Sequence, residues 1–102
     1  MAGLPINKYS PFVVESVNVS GLNGEYAAYD SKNSTFSAAK TGYKPLGIVA
    51  WGKEGTGSSN VVMTGSFLNT SSNNMNVTFK NTLNSSVTVS NAYVQILYQP
   101  IG

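Results

Sequence analysis

Four side chains supply all the acid chemistry this chain can offer: Glu15, Glu25, Asp30 and Glu54. There is no histidine and no cysteine. The commonest general base and the thiol nucleophile are therefore both missing. Glycoside hydrolysis needs two facing carboxylates at a defined separation. Glu25 and Asp30, five positions apart across a short polar turn, are the one nearby pair, and the plain reading of them is solvated loop charge. A metal site needs a cluster of His, Cys or carboxylate ligands, and the sequence groups none. The stretch GKEGTG at 52–57 resembles a phosphate loop only superficially, because the G-x-x-x-x-G-K-[ST] pattern and a following helix are both lacking. The expectation is a chain with no catalytic residues, no metal and no cofactor. It is not an enzyme on this reading.

Binding chemistry is better represented. Tyr26, Tyr29, Tyr43 and Trp51 are aromatic groups with a polar edge, able to stack on a sugar ring or to fill a core or interface. Tyr26 and Tyr29 flank a loop and are the candidate ligand-facing pair. The loops at 30–33, 53–60 and 69–74 are the places where a rigid scaffold would carry recognition. Five Asn-x-Ser/Thr triplets, at Asn18, Asn33, Asn69, Asn76 and Asn84, are what a chain rich in these residues produces by chance.

The elements that must position these groups are strands. No segment has an i, i+3, i+4 apolar stripe long enough for a stable helix. Val, Thr, Tyr, Phe and Ile gather in short runs, as their packing on pleated surfaces favours. Phe12–Val19 opens the series, with Val13, Val17 and Val19 on one face interrupted by Glu15. Glu25–Tyr29 and Ser34–Ala38 are short candidate strands. The run YKPLGIVAWGKEG at 43–55 is apolar on both faces at period two, with Leu46, Ile48 and Ala50 pointing one way and Val49 and Trp51 the other. That predicts a central strand covered on both sides, and Val49 and Trp51 are candidate core or oligomer contacts. Residues 60–68 read the same way. Met75–Thr82 alternates, with Met75, Val77 and Phe79 inward and Asn76, Thr78 and Lys80 outward, as an antiparallel strand with one wet face does. Residues 87–98 form a long last strand with Ala92, Val94, Ile96 and Tyr98 on one side. The expected fold is all-β, an antiparallel β-sandwich or jelly roll of about seven short strands, with the last three strands in a meander.

Residues 1–11 carry Pro5 and Pro11 and read as an extended N-terminal arm, followed by one β-domain over 12–102. Leu4, Ile6 and Tyr9 are the arm's candidate contacts with a neighbouring subunit. A chain of 102 residues with 41% hydrophobic residues is one globular domain. Charged residues make up only 10%, against ~25% in ordinary soluble domains. The net charge of +2 comes from lysines at 8, 32, 40, 44, 53 and 80, scattered and without any arginine. That is no footprint for nucleic acid. No apolar run approaches the ~20 residues of a membrane-spanning helix. The opening residues do not read as a signal peptide, so a chain not routed to secretion is expected.

The order TGYKPLGIVAW at 41–51, a Gly/Ser loop, NVVMTGSFLN at 60–69 and NVTFKNTLNSSVTVSNAYVQILYQ at 76–99 resembles small β-domains in structural proteins of bacteriophages and prophages of Gram-positive and gut bacteria. The resemblance covers about residues 41–99, with a looser echo in 12–40, and its distinctive element is GY-x-P-x-GIV-x-W. It implies an all-β, commonly trimeric module located in the virion, with other virion proteins as partners. It carries no motif of functional residues. The small size and the lack of a coiled-coil heptad favour a stand-alone outer-surface protein, of the capsid decoration or head-fibre type. A tail-fibre tip or receptor-binding module that recognises a host surface glycan is the alternative.

Overall fold

The computed structural model describes residues 9–101, so Leu4, Ile6 and most of the expected arm lie outside the described residues. Seven strands follow in order: β1 (Val13–Asn18), β2 (Gly24–Tyr26), β3 (Ser31–Ser37), β4 (Tyr43–Glu54), β5 (Val61–Asn69), β6 (Asn74–Asn81) and β7 (Val87–Pro100). Two short 3-10 turns, Ser20–Leu22 and Ser58–Asn60, are the helical segments among the described residues. The strands form two antiparallel sheets. One joins β1, β2 and β4 to β7, and the other has the order β3-β6-β5. The fold is all-β, as the residue pattern predicts, and the two sheets sandwich one core.

The centre of the first sheet is β7, not β4. β7 pairs with β1 through Val13↔Tyr98 to Asn18↔Tyr93 and with β4 from Tyr43↔Pro100 to Glu54↔Ser90. Residues 93–98 are thus flanked on both edges. β2 continues along the β1 edge, through Gly24↔Val89 to Tyr26↔Val87. The break between β1 and β2 is sealed by Val19 N–H donating to Ala92 O and by Ala92 N–H donating to Asn23 Oδ1, both at 2.9 Å. At 14 residues β7 sets the length of the molecule. A rise of ~3.3 Å per residue gives roughly 46 Å, against a longest dimension of 50 Å.

β4 is an edge strand, and its inward and outward residues differ from a simple alternation. Register shifts fall between Pro45 and Gly47, between Ile48 and Ala50, and between Gly52 and Glu54. The first two each insert one residue into β4 and reset its parity, whereas at the third Lys53 faces both Asn91 and Ala92 and the extra residue is on β7. Pro45, Ile48 and Trp51 lie opposite the inward residues Tyr98, Ile96 and Val94. Leu46 and Val49 are the inserted residues and are exposed.

β6 follows its pattern: Met75, Val77 and Phe79 are buried. β5, β6 and β7 do not form a meander, because β6 pairs with β3 and β5 while β7 belongs to the other sheet. The crossing is organised by Asn81, a fully buried amide. Its Nδ2 donates to Ala27 O at 3.1 Å and to Ser85 O at 2.8 Å, and its Oδ1 accepts from Leu83 N–H at 2.9 Å. Across the core, the Trp51 and Phe79 rings meet at 5.3 Å, and Tyr98 O–H donates to Ala38 O at 2.9 Å.

Candidate interaction surfaces

The residues singled out for ligand recognition do not come together. Tyr26 is fully buried, not ligand-facing. In β2 the alternation turns Glu25 to solvent and Tyr26 to the core. Its hydroxyl donates to Leu22 O at 2.6 Å, and burial pushes its pKa up to about 12. Tyr29 stands alone on the surface in a left-handed turn, at φ 61°. Glu25 and Asp30 are both exposed. Glu15 pairs with Lys40 at 2.6 Å and Glu54 accepts from Asn91 Nδ2 at 3.1 Å. Among the described residues no group of acids is placed to hold a metal, and no pocket opens. In the 52–57 stretch, Gly52–Glu54 end β4 and the turn that follows is a packing device: a Cβ on Gly55, at φ 118°, would stand 2.2 Å from Thr88 O.

Trp51 and Val49 separate. Trp51 is half-buried on the inner face, with Lys53 Nζ 4.9 Å from its ring. Burial lowers the Lys53 pKa. Val49 is 55% exposed on the outer face. Tyr9 is 84% exposed.

What the sheets do present is two outer faces of opposite chemistry. On the first sheet, Val14 lies opposite Leu97, which lies opposite Gly47, with the inserted Leu46 beside it. The next row is Ser16, Gln95 and Ala50, with the inserted Val49. The third is Asn18, Tyr93 and Gly52. Tyr93 lies across Gly52 so closely that a Cβ there would sit 2.6 Å from the ring. The result is an apolar strip in which Val14, Leu46 and Val49 are all exposed. The bulges of β4 are its physical cause, because they deliver two apolar side chains to the wet side of the sheet.

The outer face of the second sheet is polar. Its rows are Thr35–Asn76–Phe67 and Asn33–Thr78–Gly65, bounded by Ser31–Lys80–Val62 at one end. Asn33 Nδ2 donates to Asn76 Oδ1 and to Thr78 Oγ1, both at 2.6 Å. Asn76 Nδ2 donates to Asn33 Oδ1 at 2.7 Å and to Thr35 Oγ1 at 2.8 Å. Phe67 stands beside this network, 65% exposed. Sequence reasoning passed over Phe67, because residues 60–68 read as apolar on both faces. The outward Asn76, Thr78 and Lys80 were legible, but their partners on β3 lie more than 40 positions away.

No family model, curated protein or solved structure matches the chain. The fold defines an all-β module of two antiparallel sheets with two outer faces open to solvent.

Proposed function

We propose that this chain is a non-enzymatic structural protein of a bacteriophage particle, an oligomeric β-module of the outer surface of the virion, with a trimer as the favoured assembly. The observation that carries the oligomer is the apolar strip of the first sheet. Exposed valine and leucine side chains grouped on one face gain about 25 cal/mol for each Å² removed from water. Contiguous apolar patches of this kind mark interaction sites. A closed homo-oligomer would bury the strip in every copy. The location on a phage particle is supported by the resemblance of residues 41–99 alone.

The edges of the first sheet point the same way. Glu15 projects from the side of β1 that carries the inward Val13 and Val17, and it is held there by Lys40. The side-chain hydrogen bond to Glu15 raises the Lys40 pKa. An inward charge on one edge strand and bulges on the other are devices that block strand addition. Assembly therefore proceeds through the face.

Light scattering on the purified full chain tests the reading. A defined oligomer is expected, and Leu46→Asp with Val49→Asp should convert it to a folded monomer with the same β-sheet circular dichroism. A wild-type protein that stays monomeric at the highest soluble concentration overturns the oligomer. Absence of the protein from purified particles overturns the virion assignment.

A further inference from the structure

We propose that the outer face of the β3-β6-β5 sheet is a carbohydrate-binding surface, with Phe67 as the stacking platform and Thr35, Asn33, Asn76 and Thr78 as the hydroxyl-reading groups. The inference stands independently of the virion assignment, because it uses a different face of the molecule.

Each primary amide has two N–H donors and a carbonyl with two acceptor sites. Both donors of Asn33 and both donors of Asn76 are used within the network. The two amides are thereby locked against rotation. Each threonine oxygen receives one of these donors, so its own O–H is free to point outward. Left over, facing solvent, are two hydroxyl donors and the unused acceptor sites of Asn33, Asn76, Thr35 and Thr78. This is a fixed, mixed array of donors and acceptors, and a sugar's hydroxyls are likewise donor and acceptor at once. Because the side chains are held before any ligand arrives, little rotamer entropy remains to be lost on binding.

The aromatic group completes the fit. Phe67 lies in register with Asn76, beside the network and not inside it. Next to it Gly65, opposite Thr78, has open space where a side chain would stand: an added Cβ meets nothing within 4 Å. A pyranose ring can lay its C–H face on the phenyl ring while its edge reaches the Asn/Thr rows, whose members stand roughly 4.8 Å apart from strand to strand and which follow each other at about 6.7 Å along the strands. The charge pattern selects among occupants. The rows around the network hold no carboxylate, and Lys80 is the one charge, at one end. A single lysine does not make a nucleic-acid surface. A face lined by amides and hydroxyls does not suit an apolar protein partner either. An uncharged, hydroxyl-rich ligand matches it.

The test is nitrogen–proton NMR on the full-length protein, titrated with three probes: maltohexaose, a galactose oligomer and an N-acetylglucosamine oligomer. Probe concentrations should reach the order of 10 mM, enough to detect millimolar dissociation constants. At least one probe should shift the amides of Thr35, Phe67, Asn76 and Thr78. Phe67→Ala should weaken that binding roughly tenfold, and Thr35→Val with Thr78→Val by a similar factor. Both variants should keep the wild-type thermal midpoint and oligomer size, since the altered side chains are at the surface. Three results overturn the proposal: no shift with any of the three probes, shifts confined to another region such as the turn at Tyr29, or a Phe67→Ala variant whose loss is of oligomer size, which would make this face a contact between copies.

Discussion

Asn81 is the residue whose replacement discriminates most sharply between a polar group that merely sits in the core and one that builds the fold. It is completely buried. Two backbone carbonyls, Ala27 O and Ser85 O, accept from its Nδ2, and one backbone N–H, at Leu83, donates to its Oδ1. The amide therefore has one orientation that satisfies all three. Asn81→Ala removes these hydrogen bonds and leaves two backbone groups, Ser85 O and Leu83 N–H, short of a partner at the crossing between sheets, while Ala27 O keeps the Asp30 N–H. At ~1 kcal/mol for each bond, with a further penalty for buried groups left unpaired, the loss should be about 3–5 kcal/mol. In a domain of this size that lowers the thermal midpoint by roughly 15–25 °C. The single tryptophan, half-buried against Phe79, reports the transition by fluorescence.

Asn81→Asp makes the test specific. The carboxylate is nearly the same shape but has no donor for the two carbonyls. Burial and the facing carbonyl dipoles disfavour its charged form, so its folded-state pKa should lie above the ordinary ~3.9. Stability linked to a raised pKa is present at low pH and is lost as pH rises through the folded-state value. The Asp variant should therefore be least stable near neutrality and gain stability relative to Asn81→Ala as pH falls toward 4. Urea denaturation of both variants at several pH values supplies the comparison. A loss under ~1 kcal/mol for Asn81→Ala, or parallel pH curves for the two variants, would refute the role assigned to this amide.

Two further outcomes follow from the same packing. Burial raises the Tyr26 pKa to about 12 and also raises that of Tyr98. Unfolding frees both to ionise near ~10, so stability should hold below that pH and fall by about 2–3 kcal/mol for Tyr26 as pH climbs toward 12. Tyr26→Phe should flatten this alkaline limb while losing ~1 kcal/mol at neutral pH with the bond to Leu22 O; an unchanged limb would rule out Tyr26 as its source. Gly55→Ala, placing a Cβ 2.2 Å from Thr88 O at φ 118°, should cost at least about 2 kcal/mol. Gly65→Ala meets open space and should be neutral or stabilising by up to ~1 kcal/mol. Equal thermal shifts for the two glycines would contradict the close approach of Gly55 to β7 and the open space at Gly65 in β5.

The fold was legible where alternation ran uninterrupted. Met75, Val77 and Phe79, and Ala92, Val94, Ile96 and Tyr98, read as inward residues and are buried. β4 was misread because parity is a local count that a bulge resets without leaving a mark in composition. Its inward residues Pro45, Ile48 and Trp51 recur at every third position, which no single period describes. Mistaking β4 for the central strand came from the same cause: exposed Leu46 and Val49 look like buried residues to a period-two reading. Tyr26 and Tyr29 were grouped by nearness to a loop, although a strand end and a turn send neighbouring side chains to opposite sides. The Asn/Thr network was hidden because it exists only once β3 and β6 are in register.

The two outer faces constrain each other. The inner faces of the sheets are packed together around one core, so the apolar strip on β1, β7 and β4 and the polar rows on β3, β6 and β5 look in opposite directions. An oligomer that buries the strip must turn every polar face away from the shared axis. Three copies would then display three Phe67 platforms outward on one rigid body. A weak single site gains from such an arrangement, because binding by one copy raises the effective concentration of glycan at the next, and avidity can exceed the single-site affinity by about 10²–10⁴. The assembly and the sugar site therefore predict a joint result that neither predicts alone. Leu46→Asp with Val49→Asp should leave the affinity for a short oligosaccharide unchanged, since Phe67 and its neighbours are untouched. The same variant should bind a glycan-coated surface far more weakly than the wild type. Equal retention of both proteins on that surface would mean that the strip does not gather the copies, or that the polar face is not what holds them there. The oligosaccharide titration separates the two.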